Sequence, residues 1–258
     1  MTVKQLGSVR KSGSVRIGTS GIVVPGTKAT FPEEFKTGSR LHYYGFLFNT
    51  LEINSSFYKI PLPGTFARWT TEVPDDFKFS IKLWQGITHA KKLAYASEYI
   101  DIFMYAANHL GNKKGCLLIQ LPPSITFQYL QEVDNILQQL QNSNEQNSWQ
   151  LAIEFRHSSW YQDSVYAMLN KYNTSLVLHD MPLSKTPIIR PTTEFVYFRF
   201  HGPTGNYNGG YSEKFIQHYV DLVQVLVSEG KDVYIYFNNT IGGALQNAQL
   251  FQKIIGNK

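Results

Sequence analysis

The chain has 258 residues, long enough for a large core and a common length for one α/β barrel, with 43% hydrophobic and 14% aromatic residues. Its formal charge of +5 and pI near 9.1 are compatible with an anionic ligand or nucleic acid and demand neither. One cysteine, Cys116, excludes a disulfide framework or a cysteine-based zinc site within the chain, and its apolar neighbours predict a buried, inert thiol.

Residues 1–14 are polar and basic and read as a flexible tail ahead of a single domain over 15–258. No apolar core of a secretory signal lies behind them, and no run approaches the roughly 18 apolar residues of a membrane span. A cytoplasmic protein with no membrane partner is expected. Nothing in the sequence sets its oligomeric state.

Eight short apolar runs predict strands near Val15–Gly18, Leu47–Ile53, Phe77–Leu83, Gly115–Leu121, Leu151–Phe155, Ser175–Leu178, Phe195–Phe200 and Val233–Phe237. Between most of them the apolar spacing is helical. Ser97 is set to cap a helix carrying Ile100, Phe103, Met104, Ala107 and Leu110. A second places Phe127, Leu130, Val133, Leu137 and Leu140 on one face, and Gln138–Ser148 beyond it reads as an exposed loop. Ser212 is set to cap a helix with Phe215, Ile216, Tyr219, Leu222, Val223 and Leu226. Asp180–Glu194 is interrupted by proline and lacks a helical period, so the sixth βα unit is irregular. Repeated strand–helix alternation predicts a single (β/α)₈ TIM-type barrel of parallel strands. An open doubly wound sheet is the alternative. It is disfavoured because Gly18-Thr19-Ser20-Gly21 has neither dinucleotide nor P-loop spacing, and no nucleotide cofactor is indicated.

A barrel of this kind puts its active site at the C-terminal ends of the strands. Period-two alternation turns Ala152, Glu154 and Arg156 to one face, Tyr197, Arg199 and His201 to another, and Lys78, Ser80 and Lys82 to a third. Glu52, Asn54, Gln120, Asp180 and Asn238 join them from other strand ends. Charges of both signs gathered at one mouth exceed what barrel register needs. Glu154 and Glu52 are the candidate acid–base pair, with His201 as a proton-transfer group. Lys82, Arg156, Arg199, Asn54, Gln120, Asp180, Asn238, Asn239, His89 and Tyr58 are the candidates for binding substrate or an anion. On this reading Glu154→Gln removes turnover and leaves the thermal midpoint nearly intact; a network that only fixes register would lose stability instead.

Glycines after the last two strands, Gly202, Gly209, Gly210, Gly242 and Gly243, suit a phosphate cradle or ordinary turns. Tyr58, Trp84, Trp160, Tyr207 and Tyr211 are placed to stack on a sugar or base, or to fill the core. His157 reads equally as a cap of the next helix. There is no close-spaced metal-binding pair, although Glu52, Glu154, Asp180, His179 and His201 could assemble a divalent-metal site through space. These features predict a hydrolase or lyase acting on a phosphate- or sugar-bearing substrate. A nucleic-acid-binding protein is the alternative, without a basic run or recognised motif to support it.

Several of these residues lie in longer motifs: Gly18–Gly21, Leu51–Tyr58, Ile87-Thr88-His89, Gln120–Ser124, Glu154–His157 with Trp160, Arg199–Gly202 and Tyr236–Asn239. From about residue 16 onward the chain resembles the YecE-like family, domain of unknown function 72. The resemblance implies a TIM barrel and no established activity. That family has been likened to xylose-isomerase-like barrels that include metal-dependent DNA-repair endonucleases, which extends the nucleic-acid alternative to a phosphodiesterase. Here Gly21-Ile22 replaces the family's usual Gly-Trp, and Val23–Pro32 replaces its aromatic-rich loop, so substrate preference is expected to differ.

Overall fold

The structure is a computed structural model that describes residues 12–144, 148–187 and 192–256. Most of the expected tail, residues 1–11, lies outside the described residues. Its last residues are tied down: Gly13 N–H donates to Val227 O, and Ser14 donates to Asp232 from both its N–H (2.9 Å) and its hydroxyl (2.6 Å).

The elements follow one another as β1 (Val15–Thr19), α1 (Arg40–Leu47), β2 (Thr50–Ile53), α2 (Ser55–Tyr58), α3 (Pro63–Thr71), β3 (Lys78–Lys82), α4 (Gln85–Thr88), α5 (Glu98–Ala107) and β4 (Lys114–Gln120). Then come α6 (Leu130–Ser143), β5 (Gln150–Glu154), α7 (Asp163–Lys171), β6 (Ser175–Leu176), β7 (Leu178–His179), β8 (Phe195–Phe200), α8 (Glu213–Ser228), β9 (Asp232–Phe237) and α9 (Ala244–Gly256). The helices form where the apolar spacing demands. In α6 the buried residues are Val133, Ile136, Leu137 and Leu140, and α8 is capped by Ser212 Oγ, which accepts Phe215 N–H at 3.3 Å. Two expectations shift. Ser97 makes no side-chain cap at α5, and the expected loop from Gln138 is helical as far as Ser143, because burial of Leu140 holds that turn.

All the strand ladders are parallel, but they form two sheets, β1-β9-β8-β7 and β2-β3-β4-β5-β6, and not one ring. The sixth expected strand is divided at Val177. Its first half pairs with β5 and its second with β8, while Val177 N–H reaches Ile153 O at 2.9 Å. Beyond it no helix forms among the described residues of the irregular unit, as its prolines predict; residues 188–191 lie outside the description. Thr186 instead folds back on the strand, donating to Val177 O from its hydroxyl (2.8 Å) and to His179 O from its N–H (3.1 Å). An apolar groove of about 330 Å³, lined by Tyr166, Leu169, Leu176 and Leu178 among others, lies beside this helix-free strand.

The two sheets also meet between β1 and β2, where side chains take over from the ladder. Ile17 N–H donates to Asn49 Oδ1 (3.0 Å), and Asn49 Nδ2 donates to Val15 O (3.0 Å). Thr19 N–H donates to the Tyr44 hydroxyl (2.8 Å), which donates to Thr50 O (3.1 Å). A single backbone bridge, Ser20 to Glu52, follows. Gly18 permits this approach, since a Cβ there would lie 2.2 Å from Thr50 O.

Alternate residues then divide between two cores. Leu151, Ile153, Phe155, Val196, Phe198 and Phe200 face the helices, while Cys116, Leu118, Ala152, Tyr197, Tyr234 and Tyr236 fill the space between the sheets. Cys116 is fully buried, and burial raises its thiol well above the ordinary value. Tyr44→Phe keeps the ring and orphans Thr19 N–H and Thr50 O. It is expected to lower stability by about 1–3 kcal/mol in urea denaturation; an unchanged midpoint would show that the hydroxyl does not hold the seam.

Candidate functional site

Inward-facing strand ends converge on Arg199. From β8 it reaches Glu52 on β2 with two parallel bonds, Nε to Oε2 at 2.9 Å and Nη2 to Oε1 at 2.7 Å. Its third edge, Nη1, lies 2.6 Å from Glu154 Oε2 on β5. Tyr197 donates its hydroxyl to Glu52 Oε2 at 2.6 Å. Arg156 Nε donates to the other oxygen of Glu154. Both carboxylates are completely buried.

Burial pushes both acids up, yet the cations outweigh it. Glu52 is held below the usual carboxylate range by the Arg199 charge, and Glu154 well below it by Arg156 and Arg199. Both candidate acid–base residues therefore stand as fixed carboxylates at neutral pH, and neither has a proton to give.

His201 is equally constrained. Its Nε2 lies 3.0 Å from Arg156 Nη2 and 3.3 Å from Arg199 Nη1. Guanidinium groups only donate, so Nε2 must accept and the ring proton sits on Nδ1, 3.3 Å from Asp180 Oδ1. Asp180 also accepts His201 N–H at 2.8 Å and the Tyr211 hydroxyl. Burial lowers the His201 pKa, and Glu154 and Asp180 do not restore it, so the ring is neutral.

Above this floor opens a cavity of about 280 Å³ lined by Ser20, Asn54, Phe57, Tyr58, Lys82, Gln120, Arg156, Arg199, Tyr207, Asn238, Thr240 and Ile241. The charged side chains lining it are all cations. Lys82 Nζ sits 3.8 Å from the Phe57 ring centroid and makes no hydrogen bond or ion pair among the described residues. Burial and the charge of Arg199 push it down to about 8, against the pull of Glu154 and Glu52. Asn54 Oδ1 is buried without a hydrogen-bond partner among the described residues, and Gln120 donates its Nε2 to Leu121 O.

Three expected binding residues lie outside the cavity lining: Asp180, held by His201 and Tyr211, and Asn239 and His89. Asn239 is buried and donates to Gly209 O (2.8 Å) and Asn247 Oδ1 (3.1 Å), tying the last loops together. His89 stands behind Phe57, edge-on to its ring and 2.9 Å from Thr88 Oγ1. Partial burial, then Lys82 and Arg156, take its pKa to about 4. The glycines of the last two loops serve one another: Gly243 N–H donates to Gly209 O at 2.9 Å, and a Cβ on Gly242 would lie 2.4 Å from Gly209 N. Those close approaches leave Gly243 N–H turned away from a ligand.

The aromatics divide. Tyr58 and Tyr207 rim the cavity, but Trp160 is core, stacked 4.5 Å from Phe155. Trp84 packs on Tyr99, and Tyr211 is buried with its hydroxyl on Asp180. His157 caps the turn after it, its Nδ1 accepting Ser159 N–H at 3.2 Å.

His179, offered as a metal ligand, accepts Met181 N–H on Nδ1 and donates from Nε2 to Phe155 O. Burial takes its pKa to about 4. With Glu52 and Glu154 aimed at guanidinium groups, no group of three or more His, Cys, Asp or Glu among the described residues is arranged to hold a metal ion. Phe57, in the short helix α2, and Thr240 and Ile241, in the last loop, escaped the strand-end reading because they lie beyond the strands and carry no ionisable group.

Two expectations follow. Glu154→Gln leaves Arg156 and Arg199 without their shared counter-charge, so it is expected to destabilise by about 3–5 kcal/mol in urea denaturation; an unaltered midpoint would refute the pairing. The folded pKa of His179, about 4, lies below its ordinary 6.5. As pH falls through that interval the unfolded chain therefore takes up a proton the folded chain refuses, and stability declines. Glu52 and Glu154, lowered from 4.5, add their loss only below that value. Urea midpoints flat from pH 7 to pH 4.5 would contradict the lowered values of His179 and His89 and the downward direction of His201.

A family model described as "Protein of unknown function DUF72" matches residues 16–258. The UPF0759 protein YunF of Bacillus subtilis strain 168 is 26% identical over 243 residues, covering 83% of this chain and 85% of its own. The UPF0759 protein YecE of Escherichia coli K12 is 26% identical over 121 residues, 47% of this chain and 43% of its own. Among solved structures, a DUF72 family protein of Thermotoga maritima MSB8 aligns with a TM-score of 0.77 at 28% identity, over 94% of this chain and 99% of that one. One from Enterococcus faecalis V583 aligns with a TM-score of 0.76 at 24% identity, over 95% and 99%. No helix of the described residues is long and apolar enough to cross a membrane.

Proposed function

The chain belongs to the DUF72 family of unknown function, and from the chemistry of its mouth we propose that it is a hydrolase or lyase acting on a small phosphate- or sugar-bearing substrate. One observation carries this reading: the charged groups lining the cavity are Lys82, Arg156 and Arg199, while Glu52 and Glu154, which pair with the two arginines, are completely buried. Such a cavity favours an anion in its open part and holds its cations rigid before the ligand arrives. Asn54, Gln120 and Asn238 offer amides for hydroxyl groups. The volume of about 280 Å³ suits a ligand of sugar-phosphate size.

In this proposal Arg156 and Lys82 take the anion, and Glu52 and Glu154 hold the guanidinium groups in position. Lys82 is the lining group able to exchange a proton near neutral pH, since its pKa is about 8. We also read the two parallel sheets as halves of one TIM-type barrel. The Ser20–Glu52 bridge at one seam and the continuity of Ser175–His179 at the other support closure.

A nucleic-acid substrate is the second reading, favoured by the exposed Tyr58 and Tyr207 on the rim, which could stack on bases. Its affinity for single strands would fall steeply with salt.

Inorganic phosphate is expected to raise the thermal midpoint beyond sodium chloride of equal ionic strength, by an amount equivalent to about 2.7 kcal/mol at a hundredfold excess over Kd. Lys82→Met should weaken that rise, and should stop turnover of whichever member of a sugar-phosphate panel is consumed. No midpoint shift together with no consumption across the panel would defeat the proposal.

A further inference from the structure

We propose that Lys82 is a nucleophile that forms a Schiff base with the carbonyl carbon of an aldehyde or ketone bearing a phosphate or carboxylate. The inference rests on the anion-binding reading above and deepens it by naming the bond made.

The geometry of Lys82 is unusual for a lysine that only neutralises charge. Its ammonium group ends in the cavity wall at the C-terminal end of β3, against the face of Phe57 at 3.8 Å, with no carboxylate or carbonyl acceptor among the described residues. Two carboxylates lie close enough to be felt, but both are saturated: Glu52 by Arg199 and Tyr197, Glu154 by Arg199 and Arg156. Arg199 therefore removes from Lys82 the partners that would keep it protonated, and adds its own positive charge nearby. A lysine desolvated beside another cation is the recognised means of freeing an amine lone pair near neutral pH. Its value of about 8 fits that account. A lysine built only to hold phosphate gains nothing from losing its proton.

The step is balanced without an added oxidant or reductant. The neutral Nζ donates its lone pair to the carbonyl carbon, forming a C–N bond. The C=O π pair moves to oxygen, which takes a proton as nitrogen releases one. The resulting hydroxyl then takes a second proton and departs as water, and the nitrogen lone pair closes the C=N bond of an iminium ion. Solvent at the open mouth supplies and receives the protons. The iminium is an electron sink for breaking a neighbouring C–C or C–H bond, which places the reaction among lyases.

Glyceraldehyde 3-phosphate with sodium cyanoborohydride is the probe, followed by peptide mass mapping of the full chain. Lys82 is expected to carry the reduced adduct at least about tenfold faster than exposed lysines such as Lys59 and Lys91, as befits a desolvated amine. Glyceraldehyde without phosphate should label it more slowly, and inorganic phosphate should protect it. Lys82→Arg should abolish the adduct while inorganic phosphate still raises the thermal midpoint. If exposed lysines are labelled and Lys82 is spared while phosphate still stabilises, the amine is only a charge and this proposal falls alone. If phosphate has no effect either, the anion-binding reading falls with it. Labelling of Lys82 without any phosphate effect would keep the nucleophile and discard the anion.

Discussion

Arg199 is the constraint on which the arrangement depends, because it is the buried cation that spans the two sheets. It leaves β8 in one sheet and closes on Glu52 and Glu154, which belong to β2 and β5 of the other. Three charges removed from water are tolerable only when their hydrogen bonds are nearly complete, and here guanidinium edges meet both oxygens of each carboxylate, with Tyr197 adding a bond. An apolar substitute of equal volume could hold the sheets as firmly. It would not aim Arg156, which Glu154 holds, or His201, whose Nε2 meets both guanidinium groups. Register and site geometry are thus one network.

That network was partly legible in the sequence because a period of two is unforgiving. Once Leu151, Ile153 and Phe155 face the helices, Glu154 and Arg156 must face inward, and the same logic fixes Tyr197, Arg199, Ser80 and Lys82. What alternation cannot disclose is how inward groups pair. Glu154 and Glu52 resemble an acid–base couple on paper because both end strands at one mouth. The positions of Arg199 between them and of Arg156 beside Glu154 hold them as anions. The seam between β1 and β2 was hidden for a related reason, since Asn49 and Tyr44 replace backbone partners with side chains and leave no periodic signature. The glycine-rich loops were ambiguous: glycine signals close approach, and the group that approaches Gly242 and Gly243 is the loop holding Gly209 and Gly210.

The candidate site consequently separates fixed charge from adjustable charge. Glu52, Glu154, Arg199, His201 and Asp180 form a floor joined by hydrogen bonds. Lys82 stands apart from that lattice, resting on a hydrocarbon face. A floor that cannot reorganise keeps the field at the cavity constant while a ligand changes charge, which is the condition under which preorganised dipoles are most effective. The first loop, Val23–Pro32, contributes no residue to the cavity lining.

The division into two sheets also implies an order of assembly. Strands β2 to β6 pair with their immediate successors, so the five-stranded sheet can form as the chain emerges. In the four-stranded sheet β7, β8 and β9 also pair in succession, but β1 does not. That sheet's first strand pairs with its last, Val15 against Val233, so β1 must wait for nearly the whole chain before its ladder exists. Its opposite edge meets Asn49 and Tyr44, side chains supplied by the segment just after it. The side-chain seam thus ties the first strand to its neighbour in the other sheet through contacts near in sequence, while its ladder partner lies at the far end of the chain.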